Sequence, residues 1–123
     1  TPWSEGGLRE ELSNDNARFF VALSGGNVAG YIGSHNIVGE VYITNIAVNP
    51  SFRRQGIGEA LVSYLVEISK GEGADFVTLE VRESNEPAQK LYNKKGFCVV
   101  GKRKSFYENP REDAILMTID LKD

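Results

Sequence analysis

The chain has 123 residues and a formal net charge of −3 at pH 7, and it contains one cysteine and one histidine. This length predicts a single domain spanning the whole sequence, with a core that needs neither a disulfide nor a metal. The acidic balance argues against nucleic acid as a partner. No apolar run approaches the ~20 residues of a membrane helix, so no membrane partner is expected. The low cysteine and histidine counts are typical of a metal-free cytoplasmic protein.

The first half of the chain predicts one short helix followed by strands. Ser4 is a suitable helix cap, and Leu8 and Leu12 then fall four residues apart on one helical face. Three segments rich in apolar or β-branched residues and bounded by turn residues predict strands, at 18–24, 28–34 and 41–48. The Gly25-Gly26-Asn27 turn between the first two predicts a hairpin.

The second half alternates helices with strands. The clearest helix begins at Ile57, repeats apolar residues at three- and four-residue spacing, and ends at Gly71. A shorter helix opens at Asn85 and ends at Gly96. Three further strands are predicted, at 76–82, 97–103 and 114–121. The strand–helix–strand order implies at least one parallel crossover, and the hairpins at both ends predict a mixed sheet.

A glycine-containing loop, Arg53-Arg54-Gln55-Gly56-Ile57-Gly58, joins the third strand to the long helix. Its glycines allow a ligand to approach the backbone closely, and the unpaired N–H groups and dipole of a helix start attract anions. Two arginines add positive charge, so the loop favours a pyrophosphate. A plain glycine-rich turn that caps the helix is the alternative. The spacing excludes a P-loop, and Leu61 stands where a dinucleotide fingerprint needs its third glycine.

Five motifs in order resemble a known family. Arg53-x-x-Gly56-x-Gly58, preceded by Asn45-Ile46-Ala47-Val48, resembles the signature of the GCN5-related N-acetyltransferase (GNAT) superfamily. The segments 79–85 (Leu-Glu-Val-Arg-Glu-Ser-Asn) and 91–97 (Leu-Tyr-x-x-x-Gly-Phe) are similar to its bacterial ribosomal-protein-alanine acetyltransferase branch. Pro2-Trp3-Ser4 and the segment 112–117 are similar to the same branch. The resemblance covers residues 2 to about 121.

The resemblance implies an α/β fold with a mixed, mostly antiparallel sheet, a central splayed parallel strand pair and flanking helices. The branch usually places another strand and helix before the Pro-Trp-Ser segment. The chain is therefore expected to be truncated at its N-terminus, which would leave the strand at 18–24 as an exposed sheet edge.

The implied activity is transfer of an acetyl group from acetyl-coenzyme A to the N-terminal α-amine of a protein. For this branch the acceptor is the N-terminal alanine of a small-subunit ribosomal protein. Two alternatives stay open: a related enzyme that acetylates a small amine, and a coenzyme A-binding module without catalysis.

Family position also implies the cofactor-binding residues. The splayed strand would bind the acetyl and pantetheine portion through its backbone, the loop would hold the pyrophosphate, and Asn85, a natural helix cap, would add a hydrogen bond. The residues so assigned are Ile46, Ala47, Val48, Arg53, Arg54, Gln55, Gly56, Ile57, Gly58, Glu59 and Asn85.

Two side chains are candidates for the chemistry. Glu80 interrupts an otherwise apolar strand, so its carboxylate must face solvent, pair with a neighbour such as Arg82, or face a cavity. The resemblance implies that Glu80 is the general base, acting through water. Tyr92 can be a packed helical tyrosine with its hydroxyl at the rim. The resemblance implies that this hydroxyl is the general acid for the coenzyme A thiolate. Tyr107 contacts substrate or is structural.

The type of acceptor amine affects the energetics of transfer. An α-amine has a reference pKa of roughly 7.7–8, so about a tenth is neutral at pH 7, whereas a lysine amine near 10.4 is far harder to deprotonate. A single carboxylate base therefore suits protein N-termini.

Three remaining features favour structural interpretations. Cys98 is expected to be a small core residue, and His35 to be solvated on a turn. The run Lys102-Arg103-Lys104 is expected to be solvated.

Overall fold

The computed structural model describes residues 7–12, 16–53 and 55–122, with the backbone alone for 7–12. It forms one sheet of seven strands in the order β1-β2-β3-β4-β5-β7-β6, with two α-helices and a short 3₁₀ turn. The strands are β1 (Gly7–Leu12), β2 (Ala17–Ser24), β3 (Asn27–Ile37), β4 (Glu40–Val48), β5 (Phe76–Arg82), β6 (Cys98–Tyr107) and β7 (Glu112–Asp120). The helices are α1 (Ile57–Gly71) and α2 (Glu86–Lys94), and the 3₁₀ turn is Pro50–Phe52.

The sheet is mixed and mostly antiparallel, as predicted. Within it, β4 and β5 form a parallel pair, connected through α1. The other five strand pairs are antiparallel. The predicted parallel crossover is therefore confirmed.

The core lies between α1 and the sheet. Residues of α1 at three- and four-residue spacing are buried, and Leu61 and Ile57 are 0% and 1% exposed. They meet buried residues of the central strands, such as Ile32 and Val77. Gly30 permits this close packing, because a Cβ there would lie 3.2 Å from the Ile57 side chain and 3.4 Å from that of Leu61. No helix in the described ranges is long and apolar enough to span a membrane.

The predicted N-terminal helix is wrong for residues 7–12, the part of it that the structure describes. Gly7–Leu12 forms strand β1, which pairs antiparallel with β2 from Gly7 opposite Leu23 to Leu12 opposite Arg18. The glycines at positions 6 and 7 disfavour a helix, and a helix this short is only marginally stable by itself. Pairing with the edge of β2 gives the segment backbone hydrogen bonds instead. Because β1 covers β2, the predicted exposed edge at 18–24 is also wrong. Ser4 lies outside the described residues.

Two single-residue expectations also need correction. Cys98 is exposed rather than buried, because β6 is an edge strand and the core ends at Phe97, which is 0% exposed. The two valines that follow Cys98 are likewise exposed. His35 is exposed as expected, but it lies within β3 and not on a turn.

Candidate active site

The parallel strands β4 and β5 separate partway along their length. Their pairing runs from Glu40 opposite Phe76 to Tyr42 opposite Thr78 and then stops. At this point β4 contains a bulge, since its register with β3 shifts around Thr44. Beyond the bulge, the backbone groups of β4 that face β5 have no ladder partner there. A cavity of about 600 Å³ opens at this gap, lined by residues of β4, β5, β6 and β7.

Glu80 faces this cavity. Along β5 the buried residues Val77, Leu79 and Val81 alternate with half-buried ones, so Glu80 lies on the face opposite the helix-packed core. Of the situations open from sequence, Glu80 faces the cavity and has a charged neighbour, but this neighbour is Arg103 and not Arg82. Arg82 pairs instead with Glu112, at 3.2 Å.

The charge partner of Glu80 is Arg103, from edge strand β6. Arg103 Nε lies 2.7 Å from Glu80 Oε2, yet this buried oxygen accepts no hydrogen bond of good geometry from the described residues. Arg103 reaches β5 across β7, where its register partner is the small residue Ala114. The Glu80 carboxylate therefore has a nearby positive charge but keeps hydrogen-bonding capacity for a ligand or water.

Tyr92 packs inside the protein from α2. Its residue is 5% exposed, and its ring centroid lies 5.6 Å from that of Phe97. Burial, followed by the electrostatic effect of Tyr107, raises the pKa of Tyr92 to about 12. The hydroxyl therefore stays protonated throughout the neutral range and is available as a hydrogen-bond donor. The packing interpretation of Tyr92 is confirmed.

The raised pKa of Tyr92 predicts a pH-dependent stability. The folded protein favours the neutral phenol relative to the unfolded chain, whose pKa is near 10.0. This contribution is complete below pH 10 and is lost as the pH rises towards 12, with an upper limit of about 3 kcal/mol. Urea denaturation should show that wild type loses more stability than Tyr92→Phe across this range. Equal losses would contradict the buried, neutral phenol.

Tyr107 is held beside the site by Arg82. The Arg82 guanidinium lies 4.4 Å from the Tyr107 ring centroid, and it donates hydrogen bonds to two carbonyls of the 108–110 turn, at 3.1 and 3.2 Å. Burial and then the negative charge of Glu80 raise the pKa of Tyr107. Tyr107 therefore interacts electrostatically with both Glu80 and Tyr92.

A bulge in β6 directs aromatic side chains to the cavity. The β6–β7 register skips from Arg103 to Tyr107, and Asp113 Oδ1 accepts the Ser105 N–H at 2.7 Å. Ser105 has a φ of 53°, which is unusual for a residue with a side chain. Phe106 and Tyr107 pack edge to face at 5.1 Å between centroids, and both line the cavity.

The glycine-containing loop has the geometry of an anion site. Gly56, the N-cap of α1, is left-handed with φ 79° and offers no side-chain cap for the first-turn N–H groups. A Cβ at Gly58 would lie 3.7 Å from Leu91 and 3.8 Å from Val48, so the helix start, α2 and the splayed strand lie close together. Arg54 lies outside the described residues.

The remaining predicted cofactor residues flank this loop. Ion pairs with Lys95 and Lys94, at 3.0 and 3.1 Å, engage the Glu59 carboxylate and lower its pKa, Lys95 having the larger effect. Asn85 Oδ1 accepts the Ala88 N–H at 3.2 Å, so the predicted cap of α2 is confirmed. The segment Ile46-Ala47-Val48 lies on the part of β4 beyond its pairing with β5.

The position of Arg103 could not be predicted from the sequence. The basic run 102–104 is exposed, as expected, and within it Lys102 pairs with Glu83 at 2.7 Å and Arg103 with Glu80. Strand alternation separates the faces of Lys102 and Arg103. The register of β6 with β7 shifts by one residue between Val99 and Gly101, and this shift, which the local pattern does not show, places Arg103 on the cavity face.

Comparison with known proteins identifies relatives of the chain. The model of the acetyltransferase (GNAT) family matches residues 1–97. A Bacillus subtilis protein, provisionally named ribosomal protein bS18-alanine N-acetyltransferase, is 39% identical over 124 residues, covering 100% of this chain and 82% of the relative.

Solved structures give the same result. A crystal structure of the Escherichia coli ribosomal-protein-alanine N-acetyltransferase has a TM-score of 0.85 and 32% identity, covering 90% of this chain and 73% of the other. A GNAT-family acetyltransferase from Elizabethkingia anophelis with acetyl-CoA bound has a TM-score of 0.77 and 26% identity, with coverages of 85% and 76%.

Proposed function

Because the chain belongs to the GNAT family of acetyltransferases, we propose that it acetylates the N-terminal α-amine of a protein, with acetyl-coenzyme A as the donor. The acceptor is the N-terminal alanine of the small-subunit ribosomal protein bS18, the substrate named for its relatives. The observation that carries this proposal is the cavity at the β4–β5 gap. There a carboxylate and aromatic residues of the β6–β7 hairpin lie beside unpaired strand backbone.

The cofactor site is proposed on the gap and the adjacent helix start. The backbone of Ile46, Ala47 and Val48 binds the pantetheine chain as a neighbouring strand would, and the first-turn N–H groups of α1 bind the pyrophosphate. Arg53, Arg54 and Gln55, which precede Gly56 in the sequence, are proposed to contribute to the same site. Glu59 contributes through its backbone, since its carboxylate is engaged by two lysines. Asn85, at the start of α2, adds a hydrogen bond. The thioester supplies the activated acetyl group.

Glu80 is proposed as the general base. Its carboxylate lines the cavity, and Oε2 retains unused hydrogen-bonding capacity although Arg103 is adjacent. A water, or the amine itself, can therefore bind there when Arg103 moves aside. Removing the proton from the incoming ammonium produces the neutral amine that attacks the thioester carbonyl.

Tyr92 is proposed as the general acid. With a pKa raised to about 12 the hydroxyl is protonated at working pH, so it can donate a hydrogen bond to the departing sulfur. Complete transfer of the proton from so weak an acid is unfavourable unless the resulting phenolate is stabilised. The donated hydrogen bond therefore supplies much of the stabilisation. Tyr107, which lines the cavity beside Glu80, is proposed to contact the acceptor.

The rival functions predict different behaviour. An enzyme for small amines would acetylate a polyamine or an amino-sugar rather than a peptide, and a coenzyme A-binding module would bind the cofactor without turnover. The experiment is a mass-spectrometric screen of N-terminal peptides incubated with protein and acetyl-coenzyme A. We expect acetylation at the α-amine of alanine-starting peptides. Turnover confined to small amines, or cofactor binding without turnover, would contradict the proposal.

We place this activity in the cytoplasm, where ribosomal proteins are made, and assign it to a single domain.

Gly56→Glu tests the anion site. The substitution places a negative charge where the pyrophosphate is proposed and strains a left-handed position. We expect acetyl-coenzyme A affinity, measured by calorimetric titration, to fall at least about tenfold from charge repulsion. Gly73→Glu is the matched control, because Gly73 also has a positive φ, 81°, has open space around its Cβ position, and follows the opposite end of α1. Affinity near that of wild type in Gly56→Glu would reject the proposed location.

A further inference from the structure

The cavity beside Glu80 already contains a positive charge, the guanidinium of Arg103. Glu80 and Arg103 are the charged residues among the described ones that line it. Their side chains are 31% and 59% exposed, with Nε and Oε2 2.7 Å apart. The Arg103 guanidinium also lies 5.7 Å from the Phe106 ring centroid. Arg103 therefore lies along the rim of the cavity, between the carboxylate and an aromatic face.

An incoming α-amine must contact Glu80 at the position where Arg103 lies. Near neutral pH most α-amines are ammonium ions, and Glu80 is the carboxylate that the described cavity lining offers them. Because Glu80 Oε2 is buried, a guanidinium and an ammonium compete for approach to it.

The contact between Glu80 and Arg103 has the geometry of an exchangeable pair. It is made through Nε, without the two parallel hydrogen bonds that make Arg–carboxylate pairs strong. More than half of the Arg103 side chain is in solvent, so the pair is easily replaced. Beside it in β6, a Cβ at Gly101 would meet no atom within 4 Å. The displaced guanidinium therefore has room at the surface.

We propose that Arg103 is a specificity-determining residue, an exchangeable counter-ion of Glu80 that the acceptor ammonium replaces. A cationic N-terminus gains the Glu80 contact in return for displacing Arg103. A neutral group, such as the acetylated product, also has to displace Arg103 but gains no ion pair with Glu80. The Glu80–Arg103 pair therefore disfavours the binding of neutral groups. This inference rests on the proposed function, in which Glu80 receives the proton of the amine.

The test measures peptide binding rather than turnover. A short peptide beginning with alanine is titrated at pH 7 into protein saturated with coenzyme A, so that no reaction occurs. We expect Arg103→Gln to tighten peptide binding about two- to fivefold, the range set by a partly exposed ion pair, and Arg103→Lys to stay near wild type. Lys102→Gln is the matched control, because Lys102 pairs with Glu83.

A double-variant cycle separates this mechanism from others. In a Glu80→Gln background, Arg103→Gln should no longer affect binding, because the competing ion pair has been removed. Tightening that persists in that background, or weaker binding in the Arg103→Gln single variant, overturns the proposal. If wild type binds and acetylates the peptide without any response to Arg103→Gln, the proposed function stands and this inference alone fails. If no variant binds the peptide although coenzyme A binds normally, the proposed acceptor fails and the inference falls with it.

Discussion

Glu80→Gln should lower turnover with an alanine-starting peptide by roughly 10²–10⁴-fold, the range for loss of a general base. The amide keeps the size of the side chain but cannot accept the ammonium proton. Acetyl-coenzyme A affinity should be unchanged, because Glu80 lies in the cavity and not at the helix start. Raising the pH from 7 to 9 should narrow the gap to wild type, since the neutral fraction of an α-amine rises from about a tenth to about nine tenths.

Glu83→Gln is the matched control for this variant. Glu83 is an exposed carboxylate just beyond the end of β5, paired with Lys102 at 2.7 Å, so its loss should leave turnover near wild type. A structural role for Glu80 would appear as a lower melting temperature with nearly normal turnover. That result, or a rate loss that is independent of pH, would contradict the assignment of Glu80 as base.

Tyr92→Phe should lower turnover by roughly 10²-fold or more, because the departing sulfur loses its hydrogen-bond and proton donor. The ring still packs against Phe97, so the fold and the cofactor affinity should change little. Raising the pH from 7 to 9 should give no recovery, since the defect is a missing acid. In wild type, the pKa of about 12 predicts no loss of rate from ionisation of Tyr92 in that interval.

Tyr64→Phe controls for removal of a hydroxyl from a packed tyrosine. Tyr64 packs edge to face on Phe20, with centroids 5.2 Å apart, on α1, and its substitution should leave turnover unchanged. Steady-state rates of both variants at the two pH values make the comparison. If Tyr92→Phe recovers at high pH as Glu80→Gln does, Tyr92 is not the acid.

The local sequence pattern was sufficient to predict those elements whose apolar spacing matches their buried face. The apolar repeat predicted a helix that begins at Ile57 and is stopped by the glycines at Gly71 and Gly73, and the observed helix runs from Ile57 to Gly71. Strand β5 likewise matches the predicted segment, with Glu80 on its open face. In both elements the apolar spacing follows the geometry of the buried face, so neighbouring strands did not need to be known.

Prediction failed where pairing between distant segments decides the outcome. The spacing of Leu8 and Leu12 fits a helical face, yet that segment is a strand because β2 offers an edge. The exposure of Cys98 depends on β6 being the last strand of the sheet. The approach of Arg103 to Glu80 depends on the register of β6 with β7, which shifts by one residue between Val99 and Gly101. None of these long-range relations is encoded in local periodicity.

The gap between β4 and β5 also links ligand occupancy to conformational stability. Without ligand, the backbone groups of β4 beyond Tyr42 that face β5 have no sheet partner, and water must satisfy them. A cofactor that binds along this edge acts thermodynamically as an additional strand, present in the folded state alone. Mass action then adds about 2.7 kcal/mol to the free energy of unfolding when free ligand reaches a hundred times its dissociation constant. The melting temperature would therefore report the acetyl-coenzyme A and coenzyme A concentrations around the protein, and depletion of both would leave this part of the sheet the least protected.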